Sequence, residues 1–180
     1  MIVLCQGGIV PGRSLEDISA CAGPLKNSGA CTVFLGSGDR EYMARLARIA
    51  RKSGGGNNFY IGKSVPPDRV LEYTACADLG IISNRGRGLN NTAGGPNRLF
   101  EYIQARIPIL SYSHAGVESV LKLTGTGWTV KWNNPAELAG MITGKLREKN
   151  GISAEAFENA ARLFCWESEG KKLTGLVDSI

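Results

Sequence analysis

The chain has little of what metal, redox and hydrolytic chemistry draw on. There is a single histidine, His114, in 180 residues. One imidazole gives neither a metal-ligand spacing nor a Ser–His–Asp set, so His114 reads as a surface or loop residue, with a sugar contact as the alternative. The five cysteines (Cys5, Cys21, Cys31, Cys76 and Cys165) lie far apart, none at CxxC spacing, and their number is odd. That argues against a disulfide framework and for a reducing compartment. No apolar run approaches the ~18 residues of a membrane span. The opening MIVLCQGG is too short, and lacks the basic start, for a signal peptide. Repeats and low-complexity tracts are absent. Acids are the minority charge, 16 against 21 Lys and Arg, for a net +5. That allows anionic ligands and does not require nucleic acid, which is not expected as a partner. Arg45, Arg48 and Lys52 share one helix face; this reads as a solvated face, with an anionic membrane or partner surface as the alternative. The expected location is cytoplasmic, or peripheral to the inner face of a membrane.

What the chain does have is alternation. Short apolar stretches at 1–5, 31–35, 58–61, 79–82, 108–110 and 127–131 read as strands. Between them lie helical patterns: 14–25, with Ser14 as cap and Glu16 and Asp17 in the first turn; 40–52, capped by Asp39; a helix opened by Pro66-Pro67 with Val70, Leu71 and Tyr73/Thr74 inward; and helices near 116–123 and 135–149. Strands that are apolar throughout, separated by helices, predict an α/β fold. The expectation is a Rossmann-like, doubly wound, parallel six-stranded sheet with helices on both faces. The length suits one such domain over 1–180, with 153–180 as a C-terminal helical tail. Ligands of such sheets bind past the carboxyl ends of the strands, where the loops 7–13, 36–39, 62–65, 83–95 and 111–116 gather.

The most informative stretch runs from Leu89 to Ser111. Gly94 and Gly95 lead into Pro96, a residue favoured at the first helical position. Leu99 and Ile103 form an apolar face, and Asn97 and Glu101 a polar one. A glycine-rich helix entry is an anion site, with Gly94, Gly95 and the amides of Asn97, Arg98 and Leu99 as donors. Glu101, one turn deeper, suits ribose hydroxyls. Together they suggest a nucleotide. The loop Gly7-Gly8-Ile9-Val10-Pro11-Gly12 lets backbone approach a phosphate, and Arg13 behind it can grip one in bidentate fashion. The same loop spells GxxxxGRS, a P-loop pattern with Arg in place of Lys. The fourth strand, however, ends without the Asp that magnesium requires. A GxGxxG dinucleotide fingerprint is absent from this loop.

PNRLFEYIQARIPIL resembles the donor-binding helix of the family 4 glycosyltransferases, enzymes of the GT-B fold. VLEYTACADLGIIS and the GGI...GRSLE opening carry the resemblance further. It implies that the chain is the nucleotide-sugar-binding half of a retaining glycosyltransferase of polysaccharide biosynthesis. Such an enzyme moves a hexose-type sugar from a UDP-, GDP- or ADP-sugar to a glycan or lipid-linked acceptor, with no metal or other cofactor. Arg13 and Glu101 are then the candidate catalytic residues. Arg13 would sit on the donor diphosphate beside Gly7 and Gly8, and Glu101 on the ribose. The backbone at Val65 would meet the base. Gly36 and Gly38 would permit close approach or serve as turn glycines, and Arg85 and Arg87 are phosphate or acceptor candidates. The chain departs from the family pattern at three places. Gly8 stands where an Arg often follows the loop's first glycine. Ala93, preceded by Asn90, Asn91 and Thr92, stands where a Glu is common. Arg106 stands where Gly is usual, which costs about 1 kcal/mol if that turn keeps φ > 0. GT-B enzymes have two such domains, and the resemblance places only the C-terminal one here, with the N-terminal acceptor domain missing. An apolar patch on the isolated domain should then be exposed. A non-catalytic nucleotide-binding module and a nucleotide-sugar epimerase of the same fold are the alternatives. The donor reading requires the Glu101 carboxylate to face the 7–13 bend.

Overall fold

The computed structural model describes residues 1–85 and 94–178. Their strands are β1 (Ile2–Gln6), β2 (Cys31–Leu35), β3 (Phe59–Gly62), β4 (Leu79–Ile82), β5 (Ile109–Tyr112) and β6 (Gly127–Val130). They form one parallel sheet in the order β3-β2-β1-β4-β5-β6. The helices are α1 (Leu15–Lys26), α2 (Arg40–Lys52), α3 (Val70–Thr74), α4 (Asn97–Gln104), α5 (Ala115–Thr124), α6 (Pro135–Glu148), α7 (Ala154–Leu163) and α8 (Trp166–Val177). The expected Rossmann-like α/β architecture is therefore present. Chain order reverses between β1 and β4, and it is at such a switch point that doubly wound sheets open a crevice.

Two buried layers hold the sheet. On one face Leu15, Ile18, Leu46, Leu138 and Ile142 of α1, α2 and α6 pack against Val3, Phe34 and Ile81. On the other, Leu99, Tyr102, Val117 and Ala160 of α4, α5 and α7 pack against Leu4, Ile82 and Ile109. β1 and β4 are buried nearly throughout, as central parallel strands should be. β2, one strand from the edge, alternates.

Tyr102 sets the position of α4. Its ring lies over Gly80, where a Cβ would come within 2.6 Å of ring carbon. A glycine in a strand marks this kind of close approach. The Tyr102 hydroxyl accepts from Gln6 N at 3.2 Å and reaches Leu4 O and Ile81 O at 3.3 and 3.4 Å. Helix α4 is thus pinned across the β1–β4 seam with its N-terminal end beside the end of β1.

Several local expectations change. Ser14 precedes α1 but has φ 52 and makes no side-chain cap bond; the turn out of the 7–13 loop sets its backbone instead. Asp39 does cap α2, accepting from Tyr42 N at 2.9 Å. Pro66-Pro67 opens only a 3-10 turn, Pro67–Arg69, and a one-turn helix. Leu71 and Tyr73 are exposed there rather than inward, because so short an element beside the edge strand turns only Thr74 fully inside. Pro96 precedes the first helical residue rather than being it. The tail is two helices rather than one. α7 buries Phe157, Ala160 and Ala161, whereas α8 buries nothing and leaves Trp166 and Leu173 75% and 54% exposed. Among the described residues no helix is long and apolar enough to cross a membrane.

Candidate donor-binding site

A cleft of about 370 Å3 opens at the carboxyl end of β1 and β4. One wall is the loop after β1, with Gly7, Gly8 and Arg13; the other is the start of α4, with Gly94, Gly95, Asn97, Arg98 and Glu101. Asn84 and His114, from the loops after β4 and β5, complete the lining. A recess of about 100 Å3 adjoins it, lined by Leu35, Gly36, Ser64, Val65 and Val70. Gln6, Gly7 and Glu101 line both, so Glu101 stands where the two meet. Glu101 is half-buried, its carboxylate accepts from Gln6 Nε2 at the end of β1, and it shares the lining of the cleft with Gly7, Gly8 and Arg13 of the 7–13 bend.

The anion-binding features divide unevenly. The Leu99 amide is bonded to Pro96 O at 2.8 Å, and its side chain is fully buried. Leu99 therefore cannot donate to a ligand as expected. Asn97 and Arg98 are left at the open first turn, whose amides have no intrahelical partner. Arg98 does more than lend its amide. Its side chain is only 6% exposed, and Nη1 donates to Cys5 Sγ at 3.7 Å. Burial pushes the Cys5 thiol pKa up, with Arg98 and Arg13 pulling the other way. A thiol that stays protonated leaves the guanidinium charge uncompensated. Among the described residues no carboxylate pairs with Arg98, and the segment 86–93 contains no Asp or Glu. Arg13 lies nearby and folds back to donate from Nη1 to Gly8 O at 2.9 Å. Burial, then the like charge of Arg98, holds its pKa below that of an ordinary guanidinium. A buried cation without a counter-charge costs several kcal/mol, and two facing one cleft ask for an anion.

Gly36 and Gly38 are close-approach glycines, but the approach is between loops. A Cβ at Gly36 would meet Gly7 O at 2.1 Å, and one at Gly38 would meet Ile9 O at 2.0 Å. Ile9 N donates to Ser37 O at 2.8 Å, so the loops after β1 and β2 stiffen one another. Ser83 Oγ donates to Arg13 O at 2.6 Å and ties in the loop after β4.

His114 lies in the loop after β5, one of the two placements expected, but it is only 7% exposed and so not on the surface. Its Nε2 lies 2.6 Å from Asn84 O. A carbonyl only accepts, so Nε2 carries the hydrogen, an assignment made from the partner. Burial lowers the ring's pKa, and Nδ1 has no partner among the described residues. Arg85 is not a free cation: it pairs with Asp17 at 2.6 Å and lies over Trp132 and Tyr112. Arg87, Asn90, Asn91, Thr92 and Ala93 lie outside the described residues. No group of three His, Cys, Asp or Glu is placed to hold a metal among the described residues. Gln6 was not anticipated. The signal lay in plain sight, an amide ending the apolar strand IVLCQ.

A six-stranded parallel sheet with a cleft at its switch point is a Rossmann-like domain in form, of the kind that makes up each half of the GT-B fold. The chain belongs to the group 1 glycosyl transferases, whose family profile matches residues 16–164. Solved structures agree on the fold. Anabaena HepE in complex with UDP-glucose superposes with a TM-score of 0.82 at 13% identity, covering 99% of this chain and 49% of that one. Sucrose-phosphate synthase from Thermosynechococcus elongatus gives 0.78 at 18% identity, covering 99% and 45%. WaaG, a glycosyltransferase of lipopolysaccharide biosynthesis, gives 0.66 at 18% identity, covering 91% and 42%. The chain thus spans about half the length of these proteins or less. No curated protein matches it.

Proposed function

We propose that this chain is the nucleotide-sugar-binding half of a retaining glycosyltransferase. It takes a hexose-type sugar from a UDP-, GDP- or ADP-sugar for transfer to a glycan or lipid-linked acceptor, and an N-terminal domain supplies the acceptor wall. The observation that carries this reading is Arg98, a nearly buried guanidinium with no acidic partner among the described residues, facing Arg13 across a cleft that Glu101 borders. In the proposed pose the pyrophosphate lies between Arg13, Arg98 and the open amides of α4. The ribose meets Glu101, and the base enters the recess beside Gly36 and Val65. Charge builds on the leaving nucleoside diphosphate as the glycosidic bond breaks. Preorganised cations and a helix tip lining one cleft are suited to stabilise it. Arg98 would take the place of the cation missing at Gly8. Retention of configuration and the acceptor class rest on the family resemblance. The UDP and UDP-glucose complexes of HepE, which shares this domain's fold, favour a uridine donor.

Calorimetry with UDP, GDP and ADP tests the site. The expected result is measurable binding of one of them, weakened roughly tenfold or more by Glu101→Ala, the loss of one or more charge-assisted hydrogen bonds. Unchanged affinity in that variant rejects the ribose role. The alternative is a non-catalytic nucleotide-binding module, in keeping with the single cleft wall that this chain offers an acceptor. Donor turnover by a protein containing both domains separates the two readings.

A further inference from the structure

Gln6 is 3% exposed, yet both ends of its side-chain amide are engaged. Nε2 donates to Glu101 Oε2 at 2.5 Å, and Oε1 accepts from Thr74 Oγ1 at 2.7 Å. Thr74 is fully buried at the end of α3, the helix whose Val70 lines the recess. We propose that Gln6 and Thr74 are positioning residues that hold the Glu101 carboxylate in the orientation that accepts ribose hydroxyls, and so set the preference for a ribonucleotide over its deoxy form. This rests on the donor-site reading above and deepens it.

The argument is one of donor and acceptor count. An ionised carboxylate only accepts, so the amide must turn its NH2 toward Glu101; the flipped amide would set two acceptors against each other at 2.5 Å. Oε1 then faces Thr74. The threonine hydroxyl has one hydrogen and two acceptors in reach, Gln6 Oε1 and Val70 O at 2.8 Å. It serves Gln6 when it turns from the helix carbonyl. With Oε2 occupied by the amide, Oε1 of Glu101 is the oxygen left for the ligand. The chain Thr74–Gln6–Glu101 thus spends one carboxylate oxygen to fix the direction of the other. A carboxylate held in place loses less rotamer freedom when a hydroxyl arrives. Gln6 itself is fixed by its backbone, whose N–H donates to Tyr102 Oη, and by its place at the end of β1.

The test compares UDP, GDP and ADP with their 2′-deoxy forms by calorimetry, using whichever base binds most tightly. The wild-type chain is expected to prefer the ribonucleotide roughly tenfold, the worth of one charge-assisted hydrogen bond. Gln6→Leu should bring that preference to within about twofold by weakening the ribonucleotide alone. Thr74→Val should act in the same direction and more weakly, while Thr74→Ser, which keeps the hydroxyl, restores the preference. In a Glu101→Ala background, Gln6→Leu should add nothing. A merely structural role predicts equal weakening of both nucleotides, and full additivity with Glu101→Ala; either result overturns the proposal. Thr74→Val carries the test if Gln6→Leu does not fold. Retained ribose preference in both variants also refutes it, and leaves the donor site standing. Absence of any nucleoside diphosphate binding by the wild-type chain overturns the donor-site reading and this proposal together.

Discussion

The two edges of the sheet handle charge in opposite ways. At the amino-terminal edge, a cleft of about 430 Å3 is lined by Asp78, Arg106 and Lys149. There every named charge has an opposite: Lys149 is bonded to Asp78, and Arg106 to Glu158 at 2.6 Å. At the carboxyl edge the cleft is smaller, about 370 Å3, and Arg13 and Arg98 face it without an ion pair among the described residues, while the acid that lines it, Glu101, is bonded to Gln6 instead. Volume alone would choose the amino-terminal edge. What marks the proposed donor site is a pair of cations whose charge an anionic ligand can offset, since structural ion pairs are already neutral and leave a passing anion little to gain.

The sharpest way to break this contrast is Arg98→Met, which keeps the bulk and removes the charge. Nucleotide affinity should fall roughly a hundredfold, as expected for two charge-assisted hydrogen bonds to phosphate. The unliganded chain should become more stable by about 1 kcal/mol in urea unfolding, because an unpaired buried cation costs more than a methionine in the same place. Loss of affinity together with a gain in stability is the signature of a binding residue. Unchanged affinity would reduce Arg98 to a packing residue. The opposite edge should respond in reverse. Lys149→Ala should leave nucleotide binding untouched and cost about 1 kcal/mol at neutral pH, within the range for hydrogen bonds to charged groups.

That same pair has a pH dependence. Burial pushes the Asp78 carboxyl up, but the hydrogen bond from Lys149 and the one from Ile2 N at 2.7 Å outweigh it and hold its pKa below the usual carboxylate value. A carboxyl depressed in the folded state contributes stability that is complete above its unfolded pKa, about 4, and is lost as pH falls through the lower folded value. Acid titration followed by circular dichroism should show this arm in the wild type. It should be shallower in Lys149→Ala, and a curve of unchanged steepness would mean that Lys149 does not hold the proton off Asp78.

The contrast also explains what could be read from the chain itself. β2 and β4 lie where their apolar runs place them, although the sheet buries β4 whole and only every second residue of β2. The place of Glu101 on the cleft was legible because it follows a glycine-rich helix entry by one turn. Arg98 as a buried side chain was not. It sits four residues before Tyr102 on the inward face of α4, and nothing local distinguishes a basic residue turned inward from one turned out. His114 was hidden for the same reason: its burial is made by the loop after β4, thirty residues away in sequence. Gln6, Thr74 and Glu101 come from three elements and meet only through the β1–β4 seam. Long-range pairing of this kind leaves no spacing to recognise.

The smallest expected effect lies at Arg106, just before β5, where the family pattern has Gly. Its backbone has φ 58, a region in which an L residue pays about 1 kcal/mol. The guanidinium offers partial compensation through Glu158 and through Gln104 O at 2.8 Å, but both partners of the ion pair are about half exposed, and such pairs contribute roughly 0–1 kcal/mol. Arg106→Gly removes strain and pair together, so its stability should rise by no more than about 0.5 kcal/mol. Arg106→Ala removes the pair and keeps the strain, so it should fall below the wild type. Neither variant has a guanidinium, and the difference between them, about 1 kcal/mol in urea unfolding, isolates the cost of the backbone. Equal stability of the two would mean that the turn does not hold its positive φ. A change in nucleotide affinity in either would mean that the two edges of the sheet are coupled, and the division of labour drawn between them would have to be abandoned.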